Sequence, residues 1–382
     1  MSAAAAPLDA LESLFALRGA ISVTMPIIQP AEPYLDTAGE ALRRRIYLTR
    51  GEAGENLCLR PDFTIPVCLH HIARNQPLPY RYSYRGLVFR QPRYPDAPRE
   101  LEQAGIEDLG ETNLAVADAR ALADTLAACE ALEVPLDGID VILGDQGLFE
   151  AFLSALGLPD GWQRRLIRTF GEDRKLERMM EALSNTGSAS IDNVPEPLLE
   201  LARAREEGAL IRAIRDRMEE AGLPPHSGRS PQEVAQRLIE KVATAEGKLT
   251  PASTALLRRF LEIDCALSDA ARAVRSLAEN AGLDLGRALS FFEARNLALQ
   301  AAGVDLSAIT YRAAFGRPID YYTGMVFDLR PRGETITLAG GGRYDRLLTL
   351  LGAAERIPAV GFSLWMARLE AHRENARERA AP

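Results

Sequence analysis

The stretch from Pro79 to Gly110, PYRYSYRGLVFRQPRYPDAPRELEQAGIEDLG, constrains what this chain can fold into more than any other. It opens with alternation at period 2, Arg81, Ser83 and Arg85 sharing one side, which marks a strand rather than a helix. Pro92, Pro95, Asp96 and Pro98 then interrupt the ladder, and a second run beginning at Arg99 is expected to return antiparallel to the first. Alternation along that second strand puts Gln103, Gly105 and Glu107 on one face, with Arg90 where the first strand meets the loop. A strand facing a core would be apolar there, so this face is expected to be either the floor of a small-molecule site or a solvated sheet face.

With 382 residues the chain can bury a full core and support a second domain. No apolar run approaches the roughly 20 residues a membrane span needs. The start, MSAAAAPLDALESLF, carries Asp9 and Glu12 and no basic segment, so a cytoplasmic protein with no membrane partner is expected. Cys58, Cys68, Cys129 and Cys265 are scattered without a C-x-x-C pair, and His70 and His71 are adjacent while His226 sits in a Pro-rich loop. Neither a metal site nor a bound cofactor is expected from that distribution. Lysine occurs only at Lys175, Lys241 and Lys248, none in a Gly-rich phosphate loop, which leaves a P-loop or Schiff-base enzyme without a centre. The formal net charge of −8 has the wrong sign for a chain whose main task is to hold a nucleic-acid backbone.

In chain order, Ala6 to Leu17 reads as an amphipathic helix, and Ile21 to Ile28 as a short β-rich run broken by Pro26. LCLRPDFTIP, from Leu57 to Pro66, reads as a strand running into a Pro-initiated turn, in which Asp62 alone would be a turn residue. Leu114 to Leu132 is a buried helix, Ile139 to Leu143 a strand, and Gln146 to Leu156 a helix. From about Pro159 to Leu283 the pattern is helical, with a capping box of Ser230, Pro231 and Glu233 and mixed Arg/Glu faces that read as solvated. After Gly316 two strands return, joined by a turn at Pro331 to Glu334, and Gly340 to Gly342 lets the backbone bend or approach a ligand.

Phe89-Arg90, Arg99-Glu100-Leu101-Glu102-Gln103 and Glu107 resemble motif 2 of class II aminoacyl-tRNA synthetases, specifically the histidyl enzyme. Arg60-Pro61-Asp62-Phe63-Thr64 is similar to that family's Arg-Pro-Glu-Gly-Thr. Arg317-x-x-Asp320-Tyr321-Tyr322-Thr323-Gly324 is similar to its Arg-Gly-Leu-Asp-Tyr-Tyr, and Gly340-Gly341-Gly342-Arg343-Tyr344-Asp345 copies the following turn. The resemblance implies an α+β fold, a class II aminoacyl-tRNA synthetase-like antiparallel sheet flanked by helices with a helical insertion domain. The implied division is core 1–158, insertion 159–283, core 284–370 and a short tail 371–382, with no anticodon-binding domain. The Pro26 region resembles motif 1, which implies a dimer.

Carried over residue by residue, the resemblance implies a histidine site. Asp62, Thr64 and Gln103 would take the ammonium, Arg317 the carboxylate, and Glu107 with Tyr322 the two ring nitrogens. Arg90 would also belong to the site, and Tyr321 would either join it or only pack as a core tyrosine. A ring donor and a ring acceptor that are both paired reject apolar analogues, which would leave buried polar groups unpaired. The nucleotide half departs from the family pattern. Arg-x-Glu is replaced by Arg90-Gln91-Pro92, and Gly-x-Glu-Arg by Trp365-Met366-Ala367-Arg368, which would put an indole where a purine lies. Arg90, Arg99 and Arg368 remain as a conceivable phosphate site. A kept amino-acid site beside a filled nucleotide site resembles the regulatory-subunit family of ATP phosphoribosyltransferase. That resemblance implies L-histidine as ligand, no catalysis and no tRNA. It also implies a short-form ATP phosphoribosyltransferase catalytic subunit as partner, around a homodimer within a hetero-oligomer, an octamer. The alternatives are a truncated histidyl-tRNA synthetase, a stand-alone histidine-adenylating enzyme, or a scaffold that binds nothing small.

Overall fold

The structure, a computed structural model, describes residues 5–92, 94, 97–185, 194–220, 230–246, 250–317 and 321–380. Pro95, Asp96, His226, Lys248 and Asp320, all named above, lie outside the described residues. The chain begins with α1 (Ala5–Leu17), β1 (Ile21–Ser22), β2 (Ile28–Pro30), α2 (Glu32–Thr37), α3 (Glu40–Arg43), β3 (Leu48–Arg50), β4 (Asn56–Leu59) and α4 (Thr64–Arg74). The hairpin β5 (Tyr80–Phe89) and β6 (Glu100–Leu109) follows, then α5 (Leu114–Ala131), β7 (Ile139–Asp145) and α6 (Gln146–Ala155). Six helices come next: α7 (Asp160–Thr169), α8 (Asp173–Asn185), α9 (Glu196–Arg203), α10 (Glu207–Glu220), α11 (Pro231–Glu246) and α12 (Pro251–Leu261). The chain then returns through β8 (Asp264–Ala266), α13 (Leu267–Asn280), α14 (Gly286–Ala301) and β9 (Ile309–Arg312). It finishes with β10 (Met325–Pro331), β11 (Ala339–Arg343), α15 (Leu347–Leu350), β12 (Ala359–Trp365) and α16 (Met366–Ala380).

Nine strands form one sheet in the order β1-β5-β6-β12-β11-β10-β7-β9-β8, and β2-β4-β3 form a small second sheet. The pairs are antiparallel except β1 with β5 and β7 with β9. Helices flank the large sheet, so the α+β architecture with a mainly antiparallel sheet is as expected. The two faces have different characters because side chains alternate along each strand. Ala104, Ile106, Leu143, Phe327, Phe362 and Leu364 turn to one face and join the main core with α5, α6 and α14. Tyr82, Tyr84, Val326, Tyr344 and Trp365 turn to the other, beneath α4 and the small sheet. The site lies on this second face.

The run Ile21 to Ile28 divides about Pro26, as read from the sequence, β1 joining the large sheet and β2 the small one. Three segments differ from the reading of the sequence alone. After β4 the chain does not merely turn: it enters α4, and Pro66 sits in the first helical turn, where its missing N–H has no intrahelical partner to lose. The final charged segment is helical in α16, whose Leu369 is buried and whose Arg373 Nη1 donates to the Leu132 carbonyl at 3.2 Å. The expected 159–283 segment is distributed over two cores. Trp162, Leu166, Leu257, Phe260 and Leu267 belong to the main core, and β8 extends the large sheet. Only α9 to α11 pack around a core of their own, with Leu199, Leu210, Ile214 and Val242. The Ser230 capping box is present in both directions: Glu233 N–H donates to Ser230 Oγ, and Ser230 N–H to Glu233 Oε2. Among the described residues no helix is long and apolar enough to cross a membrane.

Candidate functional site

β6 supplies the floor. Its partner β5 is in register Tyr82↔Glu107, Tyr84↔Gly105 and Gly86↔Gln103, so these residues share one face. Arg81 therefore lies on the opposite face, where it is within 3.2 Å of Asp108 and 2.6 Å of Asp124. On the other side of β6, β12 pairs Gly361 with Glu107 and Trp365 with Gln103. Across this floor opens a narrow recess with a cavity volume of about 30 Å³. Asp62, Thr64, Arg90, Gln103, Glu107, Arg317, Tyr321 and Tyr322 all line it, so the structure brings together all eight residues singled out from the sequence.

One end is rich in acceptors. Glu107 is fully buried, and its Oε1 accepts from Thr64 Oγ1 at 2.7 Å while Tyr344 Oη donates to its Oε2. Burial pushes its carboxyl up to about 8 against those donors, and the neighbouring Asp62 adds to the rise. Asp62 itself is raised by burial, with Arg90 opposing. One oxygen of Asp62 receives the Ile65 N–H at 3.3 Å; the other, Oδ2, is buried and has no hydrogen-bond partner. Gln103 Oε1 is in the same condition. Two orphaned acceptors facing one recess is unusual in a native interior and fits a site awaiting a donor.

The other end is cationic. Arg317 Nη1 donates to Tyr322 Oη at 2.9 Å, and its Nε lies 3.1 Å from Asp328 Oδ1. Burial works against the Arg317 charge, but Tyr322 and Asp328 outweigh it and hold the group above the ordinary arginine range. Asp328 also receives Arg330 at 2.7 Å and Thr337 at 3.0 Å, so one carboxylate is shared by two guanidinium groups. Arg90 donates Nε–H to the Pro61 carbonyl at 2.7 Å, and burial lowers its pKa to about 10. Tyr322 thus bonds Arg317, while Tyr344 occupies Glu107.

The reading of the sequence did not assign roles to Tyr344, Asp328 or Gly361, and gave Gly340 only a close backbone approach. The signal was present for Tyr344 within Gly340–Asp345. A Cβ at Gly361 would collide with Glu107 Oε2, and one at Gly340 with Asp328 Oδ1, so the carboxylates can lie flat on the strands only over glycine. Trp365, which also lines the recess, is buried and carries the guanidinium of Arg90 at 4.8 Å and that of Arg368 at 4.6 Å from its ring centroid. Arg99 is exposed and does not line the recess.

The histidyl-tRNA synthetase family profile matches residues 2–222 and 219–369. The chain is 54% identical over 357 residues to the ATP phosphoribosyltransferase regulatory subunit of Allorhizobium ampelinum, covering 93% of this chain and 94% of that one. This chain belongs to the ATP phosphoribosyltransferase regulatory subunit family. The regulatory subunit of Rhizobium etli agrees, at 50% identity over 366 residues, 96% of this chain and 97% of the relative. Two solved structures share the fold at low identity. One is a Bacillus halodurans protein described as an ATP phosphoribosyltransferase regulatory subunit/histidyl-tRNA synthetase, with a TM-score of 0.63, 18% identity and 96% and 78% of the two chains covered. The other is the histidyl-tRNA synthetase of Nostoc, with a TM-score of 0.61, 17% identity and coverage of 97% and 71%. The fold seen here is thus the class II histidyl-tRNA synthetase-like one.

Proposed function

We propose that this chain is a non-catalytic regulatory subunit that binds free L-histidine in the recess. It activates a short-form ATP phosphoribosyltransferase catalytic subunit in the first step of histidine biosynthesis, in the cytoplasm, and carries feedback inhibition by histidine. One observation supports this most: the orphaned acceptors of Asp62 and Gln103 and the guanidinium of Arg317 line the same recess, a set of groups that complements an amino-acid zwitterion. Glu107, to which the Thr64 and Tyr344 hydroxyls donate, is the group assigned to a ring nitrogen in this reading. Trp365, stacked against Arg90 and Arg368, fills the space beside this pocket and speaks against a seated purine.

Assembly follows the same reading. Ile27, Ile28 and Leu48 are exposed in and beside the small sheet, an apolar surface that suits burial between two copies in a homodimer within a larger hetero-oligomer, an octamer. By linkage, histidine must bind the inhibited and active assemblies with different affinities; a coupling of about 1–3 kcal/mol is ordinary.

Calorimetric titration of histidine into the purified chain without ATP should show saturable binding, and none at millimolar histidine would overturn the proposal. Histidine-dependent exchange of pyrophosphate into ATP separates the enzyme alternatives, which support it, from a regulatory subunit, which does not. Mixed with a short-form catalytic subunit, the chain should raise product formation, and histidine should lower it.

A further inference from the structure

Away from the recess, α7 and α11 enclose a groove of about 290 Å³ lined by Arg164, Arg165, Arg168, Arg237, Glu240 and Lys241. Five cations against one carboxylate is a sharp local reversal in a chain of net charge −8. Arg164 and Arg168 stand four residues apart on α7, and Arg237 and Lys241 four apart on α11. Each helix therefore carries a same-sign pair at the spacing where like charges repel, and both pairs line the same groove. Arg164 is neutralised by Glu240 at 2.8 Å, and Arg165 rests 5.0 Å over the Trp162 ring. Arg168, Arg237 and Lys241 have no ion pair among the described residues. The mixed Arg/Glu pattern that reads as a solvated face is, at this crossing, sorted by the tertiary packing into one sign.

We propose that this groove binds a small anion carrying two or more phosphate groups. The proposal is independent of the histidine site. Arginine forks bond phosphate oxygens in pairs, and charge-assisted bonds of this kind are the strong ones. The cations converge from two helices on a hollow of small-ligand size, whereas a nucleic-acid backbone needs a stripe of charge along which to run. The groove also spans two packing units, since Trp162 and Leu166 seat α7 in the main core while Leu238 and Val242 seat α11 among α9 and α10. An anion held there ties the two together.

The test titrates tripolyphosphate into the full chain by calorimetry at low salt, for the wild type, for an Arg237→Ala/Lys241→Ala double variant, and for Arg168→Gln on the facing helix. The expected result is one saturable site that weakens steeply with salt and is about tenfold or more weaker in both variants. Tripolyphosphate should raise the melting temperature of the wild type more than that of either variant. Histidine affinity should be unchanged in both, which shows that they are folded. No saturable binding at millimolar tripolyphosphate, equal affinity in the variants, or a site that prefers long heparin fragments over tripolyphosphate would overturn the proposal.

Discussion

The guanidinium of Arg90 lies 4.8 Å from the ring centroid of Trp365, at the end of the recess. Arg90 directly follows β5 and Trp365 ends β12, strands that meet only through β6. The indole gives the half-buried cation a polarizable surface. Arg368 lies over the same ring at 4.6 Å.

Trp365→Ala is expected to cost about 3–5 kcal/mol of stability, the usual range for a large aromatic removed from a core. It should also weaken histidine binding, because Arg90 loses the surface that orients it, while Trp365→Phe retains most of both. Denaturant unfolding and calorimetry on the two variants check this.

Gly361→Ala places a methyl group where Glu107 Oε2 now lies. Histidine binding should fall below detection, with a stability loss of about 1–3 kcal/mol from overpacking. Gly340→Ala, which crowds Asp328 and Arg317, should weaken binding through the other end of the recess. Binding isotherms and melting curves on each variant measure both effects.

Arg317→Ala should reduce affinity for histidine by about 10- to 100-fold, in line with the worth of a hydrogen bond to a charged group. Its affinity for histidinol, which has no carboxylate, should change far less. Comparable losses for the two ligands would remove the carboxylate role from Arg317.

Glu107 makes the ligand-free protein sensitive to pH. Its carboxyl is raised from 4.5 to about 8, chiefly by burial, so between those values the folded state holds a proton that the unfolded state has released. Stability from this group is complete below about pH 4.5 and is lost as pH rises through about 8, with a slope approaching about 1.4 kcal/mol per pH unit. Glu107→Gln, neutral throughout, should flatten that part of the stability profile; an unchanged slope would show that Glu107 is ionised when folded.

Arg295 is fully buried, 2.6 Å from Asp145 and 3.8 Å from Asp118, and Asp118 is in turn held by Arg343 at 2.6 Å. Removing one charge strands the others, so Arg295→Ala should cost about 3–5 kcal/mol. Thermal unfolding is the measurement.

The hairpin from Tyr80 to Leu109 was legible because both strands are long, alternate at period 2 and pair with their neighbour in the chain. The eight recess residues were legible through short motifs whose order along the chain matched a known pattern. Helix α4 was not, because Pro66 reads as a turn signal unless it is known to occupy a first helical turn. The mixed faces of α7 and α11 were read correctly as charged but not as one groove, since nothing local says which helices will face each other.

The amino-acid sequence alone determined the class of fold, the side of β6 that carries polar groups, and the replacement of small or acidic residues by Pro92, Trp365 and Ala367. These are properties of neighbours along the chain, governed by side-chain alternation and local backbone preference. Only the tertiary structure decided that Tyr344 reaches Glu107 across 237 residues, that Asp328 holds Arg317, and that Arg90 and Arg368 share one indole. Those contacts depend on the order in which β5, β6, β12, β11 and β10 lie side by side. Strand order is settled by the burial of whole faces, a global balance that no short window of sequence contains.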